Sequence, residues 1–129
     1  MNQESILAAV DALNAYICGR NISDFQIQTL KNDTLCLIGS FDLSYYHDLE
    51  LVITGVNRLC LCTYFYVDLQ NPAPFSVQFP PGGGAVLRFT DESDRKTEEI
   101  HFEGRLLVHT KHVAHHEKGP SFSKEGPGQ

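Results

Sequence analysis

Long apolar runs and positive charge are what this sequence has least of. No stretch approaches the roughly 20 consecutive apolar residues of a membrane-spanning helix, and none is predicted. The N-terminal segment Met1–Leu13 carries Glu4 and Asp11 where a signal peptide needs basic residues, so the expectation is a soluble, cytoplasmic protein without membrane contact. Ten Lys and Arg stand against sixteen Asp and Glu, a formal charge of -6. That sign cannot displace counterions from a phosphate backbone, which argues against nucleic acid as a partner.

Catalytic and metal signatures are scarce as well. The four cysteines, Cys18, Cys36, Cys60 and Cys62, include no C-x-x-C pair, which leaves a zinc site poorly supported. Cys60 and Cys62 stand two apart on an apparent strand, where their side chains project in parallel and their sulfurs are badly placed to join. Leu59, Leu61 and Phe65 around them suggest burial, so four free thiols acting as small core hydrophobes are expected. Ser40, Ser44 and Ser76 lie in no G-x-S-x-G turn. The run Pro80-Pro81-Gly82-Gly83-Gly84 leads into a strand pattern and has no Gly-Lys-Ser/Thr ending, so it reads as an inter-strand loop and not a phosphate cradle.

What is present fits one domain. A chain of 129 residues can bury about two thirds of its unfolded surface around a single core. Residues 1–116 are read as a compact unit and 117–129 as a loosely held Gly/Pro/Ser tail. Ile6, Val10, Leu13 and Ile17 recur at helical spacing and predict an amphipathic helix over residues 3–18, with Gly19 as its left-handed stop. From Phe25 the period falls to two. Strands are predicted near 24–31, 34–42, 47–56, 58–67, 75–79, 85–90 and 98–110. Asn32-Asp33 predicts one tight turn and Gly55-Val56-Asn57 a three-residue hairpin loop, while Asp91–Lys96 reads as a solvated loop. The fold class is therefore α+β: one N-terminal helix packed on a mainly antiparallel, meander-like sheet or two-layer β-structure.

The segment Leu43–Leu51, LSYYHDLEL, is the richest functional candidate. Alternation places His47 with Leu49, Leu51 and Ile53 on one face, and Asp48 with Glu50 on the other, so His47 and Asp48 cannot form a catalytic pair in a regular strand. With the hairpin at Gly55, Asp48 would face Tyr64 and Glu50 would face Cys62, with Tyr66 near Tyr46. The resulting expectation is a non-catalytic protein-interaction module. Its acidic, tyrosine-rich face comprises Tyr45, Tyr46, Asp48, Glu50, Tyr64 and Tyr66, its partner is a basic protein that it neutralises or inhibits, and it needs no cofactor. One alternative is a metal-binding enzyme or sensor built on His109, His112 and His116, although in an extended chain these histidines would alternate without converging. A third reading is a structural subunit that self-associates through a strand edge.

Overall fold

In the computed structural model, which describes residues 1–115, Asn2 starts the first element. Its side-chain oxygen accepts from the Ser5 amide at 3.0 Å, satisfying one of the free donors of the first helical turn. The helix α1 (Gln3–Arg20) ends at Asn21, whose φ of 56° is left-handed and whose amide donates to the Ile17 carbonyl. The stop is thus Asn21 and not Gly19, because asparagine also tolerates the left-handed region and the helix runs two residues further than expected. No helix among the described residues is long and apolar enough to cross a membrane.

Among the described residues nine strands follow: β1 (Asp24–Lys31), β2 (Thr34–Ser40), β3 (Tyr46–Ile53), β4 (Val56–Cys60), β5 (Tyr64–Tyr66), β6 (Ser76–Gln78), β7 (Ala85–Thr90), β8 (Thr97–Phe102) and β9 (Leu106–Ala114). They form two antiparallel sheets, ordered β5-β1-β2-β3-β9 and β4-β8-β7-β6. The architecture is α+β, with the N-terminal helix on mainly antiparallel β-structure. The turn at Asn32 (φ 59°) joins β1 to β2 as expected. The Pro-Gly run joins β6 to β7, and the charged loop joins β7 to β8 with Ser93 to Lys96 exposed.

The expected hairpin at Gly55 does not form. Ile53 pairs with Leu35 and Leu106, and Leu59 pairs with Ile100, so β3 and β4 lie in different sheets. Gly55 has a φ of 71°, and a Cβ on it would lie 2.7 Å from the Gly104 nitrogen. The two glycines are needed because two bends cross here. The Thr54 amide donates to the Arg105 carbonyl at 2.9 Å, the Glu103 amide to Gly55 at 2.9 Å and the Gly104 amide to Thr54 at 3.1 Å. Residues 46–60 and 97–114 therefore make one bent, two-stranded ribbon that serves both sheets, which also breaks the single strand expected over 98–110 into β8 and β9.

Between the sheets, Phe25 and Phe65 from one side meet Phe89 from the other, and Phe75 fills the remaining gap. Ring centroids are 5.4 Å apart for Phe25 and Phe65, 4.2 Å for Phe65 and Phe89, and 5.2 Å for Phe75 and Phe89. Leu13 and Ile17 of α1 close the core, joined by Leu37, Leu49, Leu51, Leu87, Ile100 and Phe102. Buried Asn14 anchors the helix to the proline-interrupted segment, donating to the Phe75 carbonyl at 2.9 Å and accepting from its amide at 3.0 Å. The same segment meets the Cys18 thiol of the helix through the Asn71 carbonyl at 3.7 Å. Cys60 and Cys62 are exposed, because β4 ends at Cys60 and the chain crosses between sheets there; all four thiols are free.

Candidate functional site

The face of the five-stranded sheet turned away from the core carries all the strand residues singled out from the sequence. Cross-strand pairing aligns Tyr64, Gln26, Ile38, Glu50 and His109 in one row across β5, β1, β2, β3 and β9. Ile38 is buried yet stands outside the central apolar cluster, as an outward-facing residue of the middle strand does when flanking side chains cover it. The row holds Tyr64 and Glu50 but not the expected neighbours. Asp48 does not face Tyr64, and Glu50 does not face Cys62, because β1 and β2 intervene where a direct β3–β4 pair was expected. Tyr64 and Tyr66 stand three strand spacings from β3, about 14 Å.

At the β5 edge the Tyr64 and Tyr66 rings meet edge to face, with centroids 5.2 Å apart. The Tyr64 hydroxyl donates to Asp24 Oδ2 at 3.3 Å, and Ser23 Oγ donates to Asp24 Oδ1 at 2.9 Å. Desolvation of that hydroxyl, its bond with Tyr66 and the Asp24 charge hold Tyr64 well above the usual phenol range, so it stays a neutral donor. Both residues remain 40 % exposed.

Around β3 the side chains are more tightly bound to one another. His112 Nδ1 donates to Asp48 Oδ1 at 2.6 Å while its ring lies 5.1 Å from the Tyr46 ring. His47, only 2 % exposed, contacts Glu50 Oε2 through Nε2 at 3.0 Å and His115 Nε2 through Nδ1 at 2.8 Å. His115 Nδ1 in turn donates to the Leu43 carbonyl at 3.0 Å. The pairing register slips between His47 and Leu49, with β9 advancing from Thr110 to Val113 over the same interval. A bulge of this kind re-aims side chains, and it lies beside His47, which stays buried in phase with Leu49 while its ring reaches Glu50. Tyr45, 68 % exposed, precedes the strand, and its carbonyl accepts from the His115 amide at 2.8 Å.

These contacts link the Leu43 carbonyl, His115, His47 and Glu50 in one continuous chain. The partly buried Cys36 thiol nearby is raised by desolvation and then by Glu50, which keeps it protonated and a poor nucleophile.

The C-terminal histidines thus converge more than simple alternation allows, but on carboxylates and on each other. His109 lies opposite Glu50 and His112 is held by Asp48, while His116 falls outside the described residues. Neither His109 nor His112 belongs to a three-membered metal-ligating group among the described residues. Two features escaped the sequence reading. The first is the set Glu50, His47 and His115, which needs the β3–β9 pairing to be known. The second is the group Cys62, Asp91 and Glu98, whose signal was the alternation of Glu98 with Ile100 and Phe102 on one face of β8. The expected solvation of the 91–96 loop fails for Asp91, which is buried because three donors from Tyr66 and Ser93 converge on its Oδ1.

No protein-family model matches the chain, and no curated protein or solved structure matches it either.

Proposed function

We propose that the chain is a protein-interaction module whose outer sheet face binds a basic partner protein and thereby neutralises or inhibits it. The observation that supports this best is the single row that carries tyrosine, amide, isoleucine, carboxylate and imidazole across five strands on the solvent side. Tyr64 and Tyr66 at one end, and Tyr45 and Tyr46 at the other, offer rigid contact area at small entropic cost. Asp24, Asp48 and Glu50, within a chain of formal charge -6, favour encounter with positive charge. A macromolecular ligand suits the surface better than a small one. The clefts beside Leu106 and beside Leu59, of about 260 and 240 Å³, fall below the roughly 300–1,000 Å³ of small-molecule sites.

A photo-crosslinking residue at exposed Gln26, in cells that make the chain naturally, tests the reading. Expected is a crosslink to a basic protein, weakened by salt and by Tyr64→Ala with Tyr66→Ala. Capture from Asp11 on the helix but not from Gln26 would place the interface elsewhere, and a crosslink only to the same chain would favour the self-associating subunit.

A second reading, an enzyme or sensor using the C-terminal histidines, draws on Asp48 and His112, since a carboxylate orienting an exposed imidazole is part of a general-base arrangement. It requires untagged protein to keep a transition metal through dialysis and to lose it on His112→Gln. Metal retention that ignores His112→Gln counts against it.

A further inference from the structure

Next to β5, whose Tyr66 amide donates to Asp91, three segments distant in sequence bring metal-ligating groups together. Cys62 comes from the crossing between β4 and β5, Asp91 from the end of β7 and Glu98 from β8; one ligand atom of each lies within 4.8 Å of the other two. Asp91 and Glu98 point inward, continuing the core-facing alternation of Phe89 and of Ile100 with Phe102, and are only 1 % and 7 % exposed. Among the described residues neither carboxylate forms an ion pair.

We propose that Cys62, Asp91 and Glu98 form a binding site for a divalent ion of the Zn²⁺ type, with the fourth position open to solvent beside the exposed Cys62.

Two buried carboxylates this close, with no cation between them, repel each other in a poorly screened environment. Their protein hydrogen bonds leave ligating capacity free. Glu98 Oε2 accepts from the Cys62 amide at 3.0 Å, and Asp91 Oδ1 accepts from the Ser93 amide at 3.1 Å, Ser93 Oγ at 2.8 Å and the Tyr66 amide at 3.3 Å. Among the described residues, no donor reaches Asp91 Oδ2 or Glu98 Oε1. Such bonds also fix the ligands' orientation, as outer-shell contacts do at metal centres. The donor set selects the ion: one sulfur excludes Mg²⁺ and Ca²⁺, which take oxygen alone, while Zn²⁺ accepts cysteine and carboxylate together at about 2.3 Å and about 2.0–2.2 Å. The Cys62 thiol is raised by desolvation, then by Glu98, Asp91 and Asp94, against a lowering by Lys96. A bound dication reverses that field. Its arrival displaces the thiol proton to solvent as the metal–sulfur bond forms, so affinity rises with pH.

Cobalt(II) chloride added to the metal-free full-length chain gives a direct readout. Expected is a near-ultraviolet thiolate-to-cobalt charge-transfer band that saturates at one equivalent, is bleached by zinc chloride, and accompanies a higher melting temperature. The band should vanish in Cys62→Ser, persist in Cys60→Ser, and need at least about tenfold more cobalt in Glu98→Gln. No band in the native chain, or one that survives Cys62→Ser, overturns the proposal. X-ray absorption of the zinc-loaded native chain needs no variant to fold. One sulfur among oxygen scatterers supports the site, and a shell of nitrogen and oxygen alone overturns it.

Discussion

Glu50 and Asp48 are two residues apart on the same strand face, each about one-quarter exposed, yet they carry different energetic weight. Asp48 holds His112, which is largely in solvent, and Asp48→Lys should cost no more than about 1 kcal/mol. Glu50 is the partner of buried His47, at 3.0 Å. Glu50→Lys should cost about 3–5 kcal/mol, comparable with the about 2–5 kcal/mol expected for the core substitution Leu49→Ala. Urea unfolding of the three variants checks the order, and an Asp48→Lys chain as unstable as Glu50→Lys would refute it. The exposed Cys62 thiol makes a second prediction. Because its pKa is raised in the folded chain, its thiolate fraction near neutral pH is depressed, and its alkylation should be slower than in the unfolded chain. As pH rises, the folded rate should keep climbing after the unfolded rate has levelled.

Elements were legible wherever a local period was undisturbed. The helix, β1, β2 and β7 were readable from local spacing and from their β-branched and aliphatic residues. Gly55 defeats a local reading for a physical reason: a positive-φ glycine followed by Val56-Asn57 fits a tight hairpin as well as a bend, and the choice is made by Gly104, 49 residues away in the chain. The site was legible in the same measure. Its outward residues could be chosen by alternation, but their partners could not, since Asp48 meets His112 only through the β3–β9 pairing. The crossing predicts a sharp contrast. A methyl at Gly104 would strike the Thr54 carbonyl, so Gly104→Ala should cost more than about 1 kcal/mol, whereas Gly82→Ala, with open space around it, should be nearly neutral. Thermal unfolding of both variants decides it. On the second sheet, Glu99 of β8 accepts from His101 at 2.8 Å and from Arg88 of β7 at 2.7 Å; these bonds, against some desolvation, lower its carboxyl. A lowered folded pKa adds stability above the ordinary carboxylate range and loses it as pH falls through the folded value. Glu99→Gln should therefore flatten the acid limb of the stability curve.

For the whole molecule, the bent ribbon decides how the chain can be divided. The Pro80–Gly84 loop separates an N-terminal part containing β1 to β6 from a C-terminal part containing β7 to β9. The first lacks β9 at one edge of the five-stranded sheet and retains only the two outermost strands of the other sheet; the second has the middle pair of that sheet and a detached β9. Neither piece owns a complete layer, and every ribbon pairing, from Tyr46 with Ala114 to Cys60 with Glu99, runs between the pieces. A chain cut at Gly82 should yield two fragments that are unstructured apart and recover the native circular dichroism when mixed, at a rate proportional to their concentration. The molecule is in that sense a split protein, held shut by a two-strand clasp.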